Sequence, residues 1–348
     1  MAKKMVTDGY LPPQPIKFGK TLFKVLNDGR SFHGGDLKWS LPKKKAGKWK
    51  PGDWHEVAGK NICCPGTLHV TTEPSQWYDE GATVYVAECE DEVGRMGDKV
   101  GFRRVRLLRP LTAQEYPQVH IFLKGEHVLK KGRGVAFGEA SVQVFGNAFL
   151  NAYDRACVEV SESGVAMAHN DVEVNASGQS NVKAHGRAKV FTDGKAKVDA
   201  FDDVIVHVRG SSFVAACQRV RVFAWDKASI QLREQAVARV TDEAVVDACD
   251  ESQVFARARS IVAARGATTV LALDDVRVVA GGRSITTVEG RAVVRAEENA
   301  VVILLFSASK KSQVTVKDAA VVIDRRSSAR PKIRVGAAKR KRKPARGA

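Results

Sequence analysis

Small and β-branched residues alternate with polar residues over most of the chain, in a pattern that repeats every eight residues. Twenty such units run without insertion from Ala140 to Asn299, and Ala188-Lys-Val-Phe-Thr-Asp-Gly-Lys195 is typical. The third position is Val in 15 units, the fifth is Ala in 13, and the seventh is Gly, Asp or Asn in 15. A short fixed period indicates a repeat architecture, in which each unit buries its apolar face against its neighbours.

Within each unit, positions one, three and five are small or β-branched, whereas positions two and four are mixed polar. This alternation predicts a short strand with one face inward. The Gly, Asp and Asn residues at the end of the unit favour turns. Because the units are strictly in phase, equivalent strands can stack in register, and the sequence predicts a parallel β-solenoid.

The sixth position of the unit favours two units, and hence two strands, per coil. Taken every sixteen residues, it forms a bulky column of Tyr153, His169, His185, Phe201 and Cys217, and a polar column of Ser161, Ser177, Asp193 and Arg209. Three units per triangular coil is the competing interpretation. Stacked His169 and His185 rings would stabilise an edge of the solenoid, and a row that binds a metal or ligand is the functional alternative.

The fold class expected for the whole chain is mainly β, with a small α+β N-terminal domain ahead of the solenoid. The predicted divisions are a flexible N-terminus at 1–20, the α+β domain at 21–115, a linker or first coil at 116–139, the solenoid with its C-terminal cap at 140–324, and a disordered basic tail at 325–348. In the α+β domain, Thr21 to Leu26 predicts a strand followed by an Asn27-Asp-Gly29 turn, and Glu73 to Tyr78 a short helix.

Both ends of a solenoid need a cap, because a terminal coil offers unpaired N–H and C=O groups to other molecules. We expect the N-terminal domain to cap one end and residues 300–324 the other. After Phe306 the phase slips by four residues before two more units follow, and such an irregularity is expected at a cap.

The formal charge of +17 is concentrated at the two ends of the chain. Residues 1–60 contribute +8 and residues 325–348 contribute +11, so the 264 residues between them sum to about −2. The solenoid is therefore not expected to present a continuous basic surface to nucleic acid. The candidate residues for nucleic acid or an acidic protein partner are in the tail: Lys339, Arg340, Lys341, Arg342 and Lys343.

The N-terminal residues Met1-Ala-Lys-Lys-Met-Val contain no apolar run of the kind that opens a signal peptide. The longest apolar stretch, Ala300 to Phe306, is too short to span a membrane. The six cysteines show no disulfide framework. We therefore expect a cytoplasmic protein with no membrane contact, and no sequence motif indicates a cofactor.

The N-terminal domain resembles a domain of unknown function found in bacteriophage and bacterial proteins. The resemblance lies in Trp49-Lys-Pro-Gly-Asp-Trp54, then Cys64-Pro-Gly-Thr-Leu-His69, then Val84 to Glu88 and Lys99 to Leu108. In that family a Cys-x-x-Gly-x-His-like segment lies between strands, and repeats often follow. The resemblance implies a phage-associated protein, or one encoded by a phage and present in the bacterial host cytoplasm. It implies no specific activity.

Two kinds of chemistry are candidates in this domain. Cys64, His69 and Cys89 are residue types that bind Zn²⁺, although the second Cys or His pair typical of zinc sites is missing from the sequence. A histidine that hydrogen-bonds a neighbouring backbone group is the structural interpretation of His69.

The segments Phe32-His-Gly-Gly35, Gly66 to Thr72 and Tyr85 to Glu88 distantly resemble the strand order of ADP-ribosyltransferases. That resemblance implies His33 as the residue that holds NAD, with Thr71 and Glu88 as further candidates, Glu88 orienting the nucleophile. No Ser-Thr-Ser motif accompanies them. The function favoured by the sequence is a structural or interaction protein, and the alternative is such an enzyme or effector with the solenoid as a spacer.

Overall fold

The computed structural model describes residues 9–17, 19–31, 37–59, 66–327 and 331–336. The fold is mainly β, as predicted, and the chain divides into two compact units, Met1–Ala140 and Ser141–Ala348. The described residues contain no α-helix; their helical segments are the 3-10 helices η1 (Pro74–Gln76) and η2 (Tyr116–Val119). The prediction of an α+β N-terminal domain is therefore wrong in its helical part, because Glu73 to Tyr78 forms one short turn that begins at Pro74.

The first unit contains a six-stranded sheet with the order β2-β1-β6-β8-β5, in which β7 pairs with both β1 and β8. A separate hairpin joins β3 and β4. The bounds are β1 (Leu22–Asn27), β2 (Arg30–Ser31), β3 (Lys43–Lys45), β4 (Lys48–Lys50), β5 (His55–Glu56), β6 (Leu68–Thr71), β7 (Thr83–Met96) and β8 (Lys99–Pro110).

The predicted turn after the first strand is confirmed. Asp28 and Gly29 both have positive φ, 46° and 75°, and they connect β1 to the antiparallel β2. Trp39, 3% exposed, packs with Leu26, Phe102 and Leu107 in the core of this sheet. Burial of such large apolar side chains is the main source of stability in a small unit of this kind.

The parallel β-solenoid has about 13 turns, from residue 121 to residue 324. Its strands are β9 (Ile121–Leu129), β10 (Arg133–Val144), β11 (Phe149–Ala152), β12 (Cys157–Val160), β13 (Val165–Ala168), β14 (Glu173–Ala176), β15 (Asn181–Ala184), β16 (Lys189–Thr192), β17 (Lys197–Ala200), β18 (Ile205–Val208), β19 (Phe213–Ala216), β20 (Arg221–Ala224), β21 (Ser229–Leu232), β22 (Val237–Val240), β23 (Val245–Ala248), β24 (Gln253–Ala256), β25 (Ile261–Ala264), β26 (Thr269–Ala272), β27 (Arg277–Ala280), β28 (Ile285–Val288), β29 (Val293–Ala296), β30 (Val301–Leu304), β31 (Gln313–Val316) and β32 (Val321–Asp324).

Strands pair in parallel with the strand two places earlier. Cys157 on β12 lies beside Ser141 and beside Glu173, so the register is sixteen residues. The prediction of two strands per coil is confirmed, and a triangular coil of three units is wrong. The even-numbered strands β10 to β32 form one sheet, called here the even sheet, and the odd-numbered strands β11 to β31 form the other, the odd sheet.

Positions one, three and five of each unit are the inward positions. Ala188, Val190, Ala196 and Val198 are all 0% exposed. Each coil therefore places its small apolar residues against the same residue types in the next coil, and stability is a sum of such nearest-neighbour contacts. Positions two and four point outward, and we call them the outward positions.

The seventh position of the unit has a left-handed backbone conformation. Asp202 and Asp226 have φ values of 60° and 58°, a region that Gly, Asn and Asp tolerate best. The same carboxylates accept the N–H of the seventh residue one coil earlier, at 2.9 Å from Gly186 and 3.0 Å from Gly210. These two requirements explain why Gly, Asp and Asn predominate at this position.

At the C-terminal end, the predicted phase slip is present as a longer coil. Val293 pairs with Gln313 and Val301 with Val321, so the register increases from sixteen residues to twenty. Residues 301–324 continue the parallel coils, and the free edge of β32 pairs with an antiparallel strand, β33 (Lys332–Val335). The prediction of disorder from residue 325 onward is therefore corrected for β33.

Candidate functional site

Thr71 is a buried corner residue at the end of β6. It is 5% exposed, its hydroxyl donates to Asp98 Oδ2 at 2.6 Å, and it accepts the N–H of Glu73 at 2.9 Å. Trp77 Nε1 donates to the same carboxylate oxygen at 2.5 Å. This network satisfies the polar groups that lie between β6 and η1, which is a structural role.

Glu88 lies on β7, opposite Arg106 on β8, and accepts a hydrogen bond from Arg106 Nε at 2.6 Å. The guanidinium of Arg106 lies 4.6 Å from the ring centroid of Trp54, in a cation–π contact. Strand β1 pairs with both β6 and β7, so it separates Thr71 from Glu88. His33, the third residue of this predicted set, lies outside the described residues.

Cys89 and His69 lie on β7 and β6, and Cys64 lies outside the described residues. Burial raises the pKa of Cys89 to about 12, so its thiol is protonated at neutral pH, whereas zinc binds the thiolate. The backbone carbonyl of His69 accepts a hydrogen bond from Lys24 Nζ at 2.9 Å. Burial, followed by the charge of Lys99, lowers the pKa of this lysine to about 8.

Across the described ranges, no group of three or more His, Cys, Asp and Glu side chains is placed to hold a metal ion. The tail candidates Lys339, Arg340, Lys341, Arg342 and Lys343 lie outside those ranges. In the part of the chain that is described, no helix is long and apolar enough to cross a membrane.

One edge of the solenoid carries the predicted column of stacked rings. The ring centroids of Tyr153, His169, His185 and Phe201 follow one another at 4.6, 5.7 and 4.9 Å, with interplanar angles of 8° to 9°. Burial, then the neighbouring charges of His185 and Lys183, lower the pKa of His169. The geometry is that of a stabilising ring stack.

A second column lies on the outer surface of the even sheet, at position four of successive coils. Phe191 stacks on His207 at 5.0 Å and His207 on Phe223 at 5.1 Å, both with an interplanar angle of 12°. The guanidinium of Arg239 then lies between two rings, 5.9 Å from the centroid of Phe223 and 5.6 Å from that of Phe255.

Two edge residues extend this column sideways. Trp225 lies 6.2 Å from His207, almost parallel to it, and Arg209 lies 5.9 Å from the Trp225 centroid. We call the set the ring–cation surface; it comprises Lys189, Phe191, His207, Arg209, Arg221, Phe223, Trp225, Arg239 and Phe255.

The cations of this surface differ from those of the edges in their pairing. At the edges, Arg187 donates to Asp171 and Arg219 to Asp203, both at 2.7 Å. Among the described residues, the cations of the ring–cation surface have no carboxylate within ion-pair distance; they are Lys189, Arg209, Arg221 and Arg239. The charges of Lys189, Arg209 and Arg239 are therefore available to an external ligand. Arg221 also interacts with Asp203, and after Arg219 it helps to lower the pKa of that carboxyl.

The ten outward positions of β16, β18, β20, β22 and β24 include three cations and no acid. The ten outward positions of the odd strands β17 to β25 include one cation, Lys197, and two acids, Asp199 and Asp247. Stacked rings expose their edges, where the ring quadrupole is positive. Both contributions make this part of the even sheet attractive to anions.

The net charge of the sequence does not reveal this surface, because that sum combines the residues of both sheets. Position four taken every sixteen residues would have revealed it, since that column contains Phe191, His207, Phe223, Arg239 and Phe255 in succession. Comparison of the chain with protein-family models, with curated proteins and with solved structures finds no match. The resemblances noted in the sequence accordingly stay predictions.

Proposed function

We propose that the protein is a structural or interaction protein whose solenoid is a scaffold, and that its ring–cation surface contacts nucleic acid. The basic run Lys339 to Lys343 adds a second contact of the same kind. The observation that supports this proposal is that Arg209 and Arg239 lie against aromatic rings of the surface and have no carboxylate within ion-pair distance. Unpaired cations bind phosphates with release of counterions, and this contribution does not depend on base sequence.

The association with phage is part of the proposal and rests on the resemblance of the N-terminal domain. An acidic protein is the other partner that unpaired cations could bind. Nucleic acid is favoured because aromatic groups interleaved with Arg are typical of surfaces that bind single strands.

The test measures the binding of a single-stranded oligonucleotide at several salt concentrations, with fluorescence anisotropy as the readout. The variant R221Q/R239Q removes two even-sheet cations, and K183Q/K197Q removes two odd-sheet cations as a matched control. Deletion of residues 337–348 measures the contribution of the tail. We expect R221Q/R239Q to weaken binding. The plot of the logarithm of the binding constant against the logarithm of salt concentration should become less steep by about 1.4, because each of the two lost phosphate contacts on a single strand contributes ~0.7.

An unchanged slope in R221Q/R239Q would remove the even sheet from the proposal. Polyglutamate that competes as effectively as the oligonucleotide would indicate an acidic protein partner instead. The ADP-ribosyltransferase alternative is tested separately: incubation with labelled NAD should label a substrate in lysate, and the variant E88Q should not. Absence of transfer by the unmodified chain would exclude that activity under the conditions used.

A further inference from the structure

The ring column of the even sheet has an open end at Phe191. His207 covers one face of this ring, and in the preceding coil the position in register with Phe191 is Asn175, which has no ring. Phe191 is 36% exposed. Since successive rings in the column are nearly parallel, the other face of Phe191 is directed toward the coil of Asn175, and no ring is stacked on it in that coil.

A groove of about 420 Å³ runs along the column past this end. Its lining includes the rings of Phe191, His207 and Trp225 together with Asn175, Asp193 and Arg209. The lining thus combines aromatic rings, amide and carboxylate groups, and one cation. Ligand sites commonly combine apolar contact area with a few polar groups that fix orientation.

Thr192 contributes to the base of the groove from an inward position, in register with Ala176 and Val208. Its buried Oγ1 has no hydrogen-bond partner among the described residues, and the same is true of the inward hydroxyls of Ser180, Ser212, Ser284 and Thr286. The unpartnered hydroxyl is therefore a feature of the solenoid interior, and the groups that can contact a ligand are the outward side chains of the groove.

The acidic residues of the groove restrict the ligand. Asp193 Oδ1 accepts the N–H of Gly194 at 2.7 Å, and Glu159 accepts a hydrogen bond from Gln143 at 2.9 Å. These carboxylates repel a phosphate placed inside the groove, whereas they can accept hydrogen bonds from exocyclic amino groups of bases. Arg209 at one side of the groove is the group that a phosphate would approach.

We infer that this groove binds one base of a single-stranded nucleic acid, stacked on the open face of Phe191, with the adjoining phosphates on Arg209 and Lys189. The inference rests on the proposed function and deepens it. A duplex keeps its bases stacked inside, so the groove would select single strands. Stacking on an aromatic ring tolerates every base, and therefore little sequence preference is expected.

The experiment compares two oligonucleotides of about 12 nucleotides, a normal length for one binding site. One has bases and the other is abasic, so the two strands have equal phosphate charge. Each is titrated into the full chain and into the variants F191L and F223L. Leu occupies the same column at Leu271, and F223L is the matched control because His207 and Arg239 already cover both faces of Phe223.

We expect F191L to weaken binding of the base-containing strand by about tenfold and to leave binding of the abasic strand unchanged. F223L should have a smaller effect than F191L on the base-containing strand.

Equal binding of the two strands by the unmodified chain, with no effect of F191L, would overturn the base site and leave the phosphate contacts of the proposed function intact. Binding of neither strand would overturn both. A mononucleotide that binds as tightly as the strand, and is lost in F191L, would identify a free nucleotide as the ligand and contradict the assignment to a strand.

Discussion

The even and odd sheets of the solenoid are built from the same eight-residue unit, and their inward residues are equivalent. Val190 on the even sheet and Val198 on the odd sheet are both fully buried. Their outward residues differ: between β16 and β24 the even sheet exposes rings and unpaired cations. The odd sheet exposes apolar residues on β23, β25 and β27: Val245, Ile261 and Val279 are 44%, 40% and 49% exposed.

This difference shows which positions of the unit determine the fold and which are free to acquire a function. The inward positions must remain small and apolar, because every coil packs on identical neighbours. The outward positions are constrained only by the coils immediately before and after them. A column that combines rings with cations lacking a carboxylate partner is therefore not required by the packing of the interior.

The largest effect is expected from placing a charge at an inward position of a strand, compared with an outward position of the same strand. Val222 on β20 is 1% exposed, and its neighbour Phe223 points outward. Val222→Asp places an unpaired carboxylate in the interior, and we expect a loss of at least about 4 kcal/mol in the free energy of unfolding. Phe223→Asp should cost much less. Urea denaturation of the two variants measures the difference, and equal losses would contradict the assignment of inward and outward positions.

An intermediate effect is expected from a deletion that moves every strand after it from one sheet to the other. Deletion of residues 236–243 removes one unit, so Asp247 takes the even-sheet position after Phe223 and Phe255 moves to the odd sheet. Deletion of residues 228–243 removes one whole coil and keeps every later strand on its own sheet. Both deletions remove Arg239, which makes them a matched pair.

We expect the single-unit deletion to bind single-stranded DNA more weakly than the whole-coil deletion, by up to about fivefold. One exposed charge contributes up to about 1 kcal/mol, which sets this limit. The measurement is fluorescence anisotropy at one salt concentration. Equal affinities would show that the arrangement of outward residues on the even sheet does not matter for binding.

A smaller effect is expected from the protonation of His207. Burial lowers the pKa of His207 below its ordinary value of 6.5. The unfolded chain therefore binds a proton near pH 6.5 that the folded chain does not, and stability falls as the pH falls below that value. His207→Phe should reduce this loss between pH 7 and about 5 in thermal unfolding, because Phe already occupies the column at Phe191 and Phe223. An identical pH dependence in the variant would show that His207 is not coupled to folding.

The solenoid could be predicted from the sequence because its period is local and strict. Position six favoured two units per coil, since the Tyr153 to Phe201 column becomes continuous only at that spacing. The strand at Lys332–Val335 could not be foreseen in the same way. Its four residues alternate basic and apolar types with no neighbouring repeat, and its pairing with β32 depends on the free edge of the last coil.

The candidate site was harder to predict than the fold, for a physical reason. Net charge over residues 61–324 is close to neutral because the basic outward residues of one sheet are offset by acids elsewhere. The electrostatic effect of Arg221 and Arg239 depends on which residues share their surface, and that requires the register. In the N-terminal unit, Thr71 and Glu88 matched a resemblance in sequence order, but order alone does not indicate that β1 separates them.

The account depends most directly on the sixteen-residue coil, which engineered disulfides can test. Cys157 is exposed on β12 and lies in register with Glu173 on β14. Adjacent strands are ~4.8 Å apart, within the Cα separation that a disulfide accepts. Under mild oxidation, we predict that Glu173→Cys cross-links to Cys157 and that Asn181→Cys does not, as read by peptide mass spectrometry. A Cys157 link to residue 181 in place of residue 173 would indicate a coil of three units and contradict the division into even and odd sheets.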